Sequence, residues 1–186
     1  MALGRVWRVC SVWLFLTVTL ALGCERLRLL QVLNTDTLGK LDEMGGRLPQ
    51  QCVTERLSLK TKPLDLVKLS AEIHAQERIW IVHQTLHHLR RIYSLNLSSV
   101  TWVQSSVEHF RLLLDRQLKE LDVCVRKPGS ESKPRKNAAI LKYFRKLRKF
   151  LKKKGFSECA WEITRAETRP HLQQLFLIMA KINKNM

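Results

Sequence analysis

Apolar side chains recur at steps of three and four over most of the chain. Breaks in that rhythm divide it into five predicted helices joined by two long loops. Leu27, Leu30, Leu33, Leu38, Leu41 and Met44 mark the first, from Glu25 to about Met44, and Gly45-Gly46 stops it. The stretch through Pro49, Cys52 and Pro63 has no period and reads as an overhand loop pinned at Cys52. Leu69, Ile73, Trp80, Leu86, Leu89 and Tyr93 predict a second helix from about Leu66 to Tyr93. Asn96-Leu97-Ser98-Ser99 interrupts it, and Ser98 or Ser99 can cap the next. The third helix carries the cleanest stripe: Val100, Val103, Val107, Phe110, Leu114, Leu118, Leu121 and Val125, with Glu108, Arg111, Asp115 and Lys119 off it.

A loop rich in Pro, Gly, Ser and Lys, from Arg126 to Asn137, precedes a fourth helix that starts near Asn137. It turns Ile140, Phe144, Leu147 and Leu151 inward and ends at Gly155. The last helix, from about Ser157 to Ile182, rests on Ile163, Ala166, Leu172, Leu175, Phe176, Met179 and Ile182. Pro170 lies in its middle, where it removes a hydrogen bond and crowds the carbonyl four residues back. A kink near Arg165 to Arg169 is expected, with a break into two helices as the alternative. With no repeats and no strand alternation, the fold class is an all-α antiparallel helical bundle.

The amino end changes the compartment. Arg5 and Arg8 precede a mostly apolar run from Val12 to Leu22, and Ala21-Leu22-Gly23 offers small residues for cleavage. Residues 1–23 thus read as a secretory signal peptide, since the run is shorter than the ~20 residues a membrane span needs. No later segment is long enough either, so the mature chain has no integral membrane segment. It begins at Cys24 and forms one domain, residues 24–186, large enough to bury its own core.

The whole chain has a formal charge of +17, and loss of Arg5 and Arg8 leaves 31 basic residues against 16 acidic ones. That excess favours polyanions. Export makes intracellular nucleic acid a poor partner. Once Cys10 leaves with the signal, Cys24, Cys52, Cys124 and Cys159 remain, an even number that implies two disulfides with three possible pairings. A structural metal is disfavoured because no Cys-x-x-Cys pair occurs.

Catalysis finds no support. There is no Gly-rich phosphate loop and no Gly-x-Ser-x-Gly elbow, and the cysteines are expected to be oxidised. His83 and His87 have zinc-compatible spacing, but a third ligand and a His-Glu-x-x-His pattern are absent, so they read as hydrated or packed histidines. Neither an enzyme nor a cofactor is expected. Asn96-Leu97-Ser98 is an acceptor sequence for N-glycosylation at an exposed helix junction.

The most specific pattern is Tyr143-Phe144, Leu147, Phe150-Leu151 and, after seven intervening residues, Cys159-Ala160-Trp161. It resembles the signature of type I interferons, with Lys146 as a departure where that family has a small, polar or Arg residue. The four-cysteine layout is most similar to non-mammalian vertebrate forms, such as those of fish. The resemblance implies bridges Cys24–Cys124 and Cys52–Cys159, each closing a loop of roughly 100 residues. It also implies receptor contacts. The family's Cys-x-x-x-Arg matches Cys52 to Arg56, and its Cys-Ala-Trp-Glu-x-x-Arg-Ala-Glu matches Cys159 to Glu167, making Arg56, Arg165 and Ala166 receptor-binding candidates. Trp161 is either an interface anchor or part of the core. The implied function is a secreted cytokine that bridges two cell-surface receptor chains and induces antiviral genes.

Between Arg126 and Lys154 stand thirteen Lys or Arg residues and one acid, Glu131. This block is either a solvated basic face or a docking surface for heparan sulfate, with Lys149, Lys152, Lys153 and Lys154 expected to lie away from the Arg56 and Arg165 surface. Two other functions stay open: another helical class II cytokine related to interferon-lambda or interleukin-10, and a cationic host-defence protein acting directly on microbes.

Overall fold

A computed structural model describes residues 26–125 and 137–184. The signal peptide, the Cys24 start, the Cys24–Cys124 bridge and the loop from Arg126 lie wholly or partly outside the described residues. Helices α1 (residues 26–44), α2 (Gln50–Arg56), α3 (Leu66–Leu69), α4 (Ala75–Tyr93), α5 (Gln104–Val125), α6 (Ala138–Lys153) and α7 (Glu158–Lys184) follow in order, with a 3-10 turn at Leu57–Leu59. There is no strand among the described residues, and no helix among them is long and apolar enough to cross a membrane.

Pairings along the helices fix their directions. Arg26, Thr37 and Met44 of α1 bond to Glu120, Gln117 and Val103 in turn, so α1 runs against α5. His83, Arg90 and Tyr93 of α4 meet Asp122, Asp115 and Arg111, so α4 also runs against α5 and therefore alongside α1. Gln84 and His88 of α4 meet Asn137 and Phe144, which sets α6 parallel to α4. Asn183, Leu172 and Arg169 of α7 answer Gln31, Asn34 and Asp42 of α1. The five long helices thus run up, up, down, up, down.

Their apolar stripes meet in one core around Phe110, Phe144, Leu147 and Trp161, all essentially inaccessible to water. Burial of each such side chain stabilises the fold by about 1.5–3 kcal/mol. Trp161 belongs to this core, and its indole Nε1 donates to the carbonyl of Asn96 at 2.9 Å.

The predicted second helix is two. α3 stops after one turn, the chain turns through residues 70–74, and α4 starts at Ala75. No Gly or Pro marks that turn. The carbonyls freed there are taken by one side chain, Arg78, whose Nε and Nη2 donate to Ser70 and Ala71 at 3.0 and 3.2 Å. The loop read as aperiodic also contains α2. The third helix starts four residues later than its stripe, because Val103 donates its backbone N–H to Met44 and Trp102 turns inward before the helix begins. Asn137 caps α6, accepting from Ala139 and Ile140 at 3.0 and 3.3 Å, and Gly155 leaves it at a left-handed φ of 59°.

Pro170 does not split the last helix, which is continuous through it. The proline sits on the exposed side while Thr168, His171 and Leu172 are buried beside it, so tertiary packing holds the helix across the missing bond. Phe176, assigned inward by the sequence pattern, is 40% exposed, and Ile178 is buried instead.

Candidate functional site

α2 and the amino-terminal half of α7 are joined by the disulfide Cys52–Cys159, with Cα atoms 5.1 Å apart. One turn beyond Cys52 and two turns beyond Cys159 the two helices present charged residues to one another. Arg56 on α2 donates Nη2 and Nε to Glu167 Oε1 at 2.6 and 3.1 Å. The second oxygen of Glu167 accepts the hydroxyl of Tyr143, on α6, at 2.8 Å. Burial, followed by the Glu167 charge, pushes the Tyr143 phenol well above its ordinary range, so it acts as a neutral donor. The Arg56 side chain is 50% exposed while Glu167 is 13% exposed, so the carboxylate is a fixed base and the guanidinium faces outward.

Arg165 occupies a different environment. Its side chain is 6% exposed and lies under the surface, where Nε and Nη2 donate to Glu162 Oε2 at 3.1 and 2.8 Å. Nη2 also donates to the carbonyl of Gly46, and Nη1 lies 3.5 Å from that of Leu41. The other Glu162 oxygen accepts the indole Nε1 of Trp102. This buried cluster satisfies the carbonyls at the end of α1 and fixes the turn after it. Gly45 passes so close that a Cβ there would lie 3.0 Å from both Arg165 Nε and Trp102 Nε1. Glycine lets the chain pass this close; any side chain here would push Arg165 and Trp102 back by a few tenths of an ångström.

Above the cluster is an open cleft of about 590 Å³ whose lining includes Asp42, Arg47, Arg165, Ala166 and Arg169. Arg169 forms a two-pronged pair with Asp42 at 2.9 and 3.0 Å on its rim. Ala166, partly exposed, lies between the buried Arg165 and the exposed Arg56–Glu167 pair along α7. The structure thus brings Arg56, Arg165 and Ala166 to one end of α7, with Arg165 beneath the surface and the other two at it. The sequence reading assigned no role to Glu162, Glu167, Trp102 or Asp42. Glu162 and Glu167 stand within the matched motif, and a glutamate three residues before an arginine on a helix is a sequence-level sign of a pair.

The remaining candidates are dispersed. Asn96 is exposed in the α4–α5 connection, with its side-chain oxygen accepting the N–H of Ser98 at 2.9 Å. His83 Nε2 lies 3.1 Å from Asp122, and the described residues contain no group of three potential ligands placed to hold a metal ion. Cys124 is buried near the end of α5. Lys149, Lys152 and Lys153 are exposed on α6. Lys154 is not remote from the arginine surface: its Nζ lies 3.4 Å from Glu55, the neighbour of Arg56. The tight turn from α6 into α7 returns the chain to α2, which sequence spacing does not reveal.

Residues 27–182 match the family model for the interferon alpha/beta domain. The chain is 29% identical to interferon a3 of Oncorhynchus mykiss over 151 residues, 81% of each protein. It is 30% identical to human interferon alpha-21 over 154 residues, 79% of each. Among solved structures, zebrafish interferon 1 aligns with a TM-score of 0.70 at 29% identity, covering 86% of this chain and 99% of that one. With the helical bundle, the α2–α7 disulfide and a family match over nearly all the described residues, the chain belongs to the type I interferon family of helical cytokines, which are not enzymes.

Proposed function

We propose that the protein is a secreted ligand that binds two chains of a cell-surface class II cytokine receptor, brings their associated kinases together and induces antiviral gene expression. The observation that carries this reading is the Arg56–Glu167–Tyr143 chain of hydrogen bonds beside the Cys52–Cys159 bridge. It holds an outward-facing guanidinium at a fixed position. An arginine already ordered in the free protein loses little freedom on binding, and arginine is favoured at interface hot spots. Ala166 and the cleft rim continue the same surface, and buried Arg165 shapes it from below. In this reading residues 1–23 are the removed signal, Cys24 pairs with Cys124, and Asn96 carries a glycan.

A second role follows from charge. Lys149, Lys152 and Lys153 are exposed and enter no ion pair among the described residues, and with Lys154 they form one end of a basic face suited to heparan sulfate. The deciding experiment adds purified residues 24–186 to cells of the same species and measures antiviral transcripts. Induction that disappears in receptor-deficient cells supports the reading. Microbial killing without any receptor-bearing cell, and with no induction, replaces it with a direct host-defence role.

A further inference from the structure

Beside the amino-terminal half of α6 lies a second concave surface that the receptor reading does not use. A cleft of about 510 Å³ opens between the segment of residues 60–64 and the first turns of α6. Lys60 and Lys62 come from one wall and Lys142 and Lys146 from the other, with Thr61 and Tyr143 between them. Among the described residues no carboxylate lines it. All four lysines are exposed, and none is ion-paired among the described residues, whereas Lys40 and Lys154 elsewhere on the surface do have acidic partners.

Two features show that this concentration of charge is set against local preferences. Lys60 adopts φ 42° and ψ 40°, a left-handed conformation in which glycine or asparagine would be relaxed, and its carbonyl is held by Lys146 Nζ at 3.5 Å. Strain of this kind concentrates at functional positions. On α6, Lys142 with Lys146 and Lys149 with Lys153 are like-charged pairs at i, i+4, which weaken a helix. The apolar stripe of α6 already secures its packing, so the fold does not need these charges. Among the described residues no acidic side chain neutralises these lysines, which leaves them open to an external polyanion.

Accepting the glycan-docking role above, we infer that its anchor is this cleft: a sulfated glycan binds with sulfate groups between Lys60, Lys62, Lys142 and Lys146. The chain then runs on along Lys149 and Lys153. From Lys142 to Lys153 the helix advances about 16 Å, a track suited to a linear polyanion rather than to a single small anion. A flat lipid surface cannot reach both walls of a concave site at once, which favours a flexible strand over a bilayer.

The test compares three folded proteins on immobilised heparin across a salt series: wild type, K60Q/K62Q/K142Q/K146Q, and a charge-matched control, R28Q/R116Q/K119Q/K181Q, altered at exposed positions elsewhere. Circular dichroism and melting verify that each is folded. The cleft variant is expected to lose roughly tenfold or more in affinity at physiological salt and the control about threefold or less, because only the former removes converging contacts. A heparin hexasaccharide should shift the backbone amide resonances of residues 60, 61, 62, 64, 139 and 142. Equal loss in both variants overturns the cleft while leaving the docking role intact. No wild-type retention above that of a neutral protein overturns the docking role itself. Capture by phosphatidylserine vesicles in preference to heparin, through the same lysines, overturns the glycan assignment.

Discussion

Arg56 and Glu167 are 111 residues apart in sequence and 2.6 Å apart in the folded chain. Their pairing depends on three separate elements: α2 supplies the guanidinium, α7 the carboxylate, and α6 the Tyr143 hydroxyl that occupies the other carboxylate oxygen. The Arg56 end of the pair is half exposed, so its own contribution to stability is small, about 0–1 kcal/mol. Its effect is on position.

Arg56→Ala should therefore lower receptor-dependent signalling at least about tenfold, since loss of a central arginine anchor can cost about 2 kcal/mol or more of binding. The melting temperature should barely change. Glu167→Gln should have a smaller effect in the same direction, because the guanidinium remains but loses its charged support. Dose–response curves for the two single variants and the double variant test this, and equal potency of Arg56→Ala and wild type removes Arg56 from the site.

The buried Glu162–Arg165 pair should behave in the opposite way, as a determinant of folding. Removing one partner from a buried ion pair typically costs about 3–5 kcal/mol. Glu162→Ala should lower stability by that order in urea titration. Gly45→Ala should also destabilise, because its new methyl meets both Arg165 Nε and Trp102 Nε1 at 3.0 Å. A Glu162→Ala variant as stable as wild type would show that the pair contributes nothing.

His171 predicts a pH dependence. The residue is 2% exposed, both ring nitrogens lack a hydrogen-bond partner among the described residues, and the ring stands edge-on to Tyr143 at 4.9 Å and near Phe144 at 5.7 Å. Burial lowers its pKa from the ordinary 6.5 to about 4, against a smaller opposing pull from the Glu167 carboxylate. Between those values the unfolded chain binds a proton that the folded chain refuses. The contribution of neutral His171 is thus complete above pH 6.5 and declines as pH falls toward 4, by up to about 3 kcal/mol. His171→Phe should flatten that limb, which urea titrations at pH 7 and 4.5 measure. An unchanged slope would assign the acid sensitivity to other groups.

Replacing Cys52 and Cys159 by serine opens a loop of 107 residues and should cost about 4–5 kcal/mol on the chain-entropy account. For a chain of this size that is a fall of roughly 10–15 °C in melting temperature. Signalling per folded molecule should also fall, because α2 loses its anchor. Mass mapping of non-reduced peptides tests the expected Cys24–Cys124 bridge in the same preparation; a Cys24–Cys52 peptide would reject it.

Much of the fold was legible because each long helix carries its own apolar stripe. Ile140, Phe144, Leu147 and Leu151 point inward as their spacing predicts, and Asn137 and Gly155 mark the ends of α6. The failures come from long-range contacts. The break between α3 and α4 is held by Arg78, and the late start of α5 by Met44 and Trp102, neither of which has a local signature. At the site, the motif pointed to Arg56, Arg165 and Ala166, but it could not separate the surface arginine from the buried one. That difference arises because the end of α1 closes over Arg165, while among the described residues Arg56 stays half exposed.

The proline in the middle of α7 has a bearing on motion. Pro170 offers no N–H to the carbonyl of Ala166, so the hydrogen-bond ladder is interrupted there. On the amino-terminal side the helix is held by the disulfide and the Glu162–Arg165 cluster; on the other it is held by Gln174 bonded to Leu66 and Asn183 bonded to Gln31. Cooperative opening propagates along unbroken ladders, so fraying that begins at the carboxy end meets a natural stop at residue 170. In amide hydrogen exchange, residues 172–184 should open at lower free energy than residues 161–168. The half of the helix that bears Ala166 and Glu167 then keeps its shape while the other half breathes.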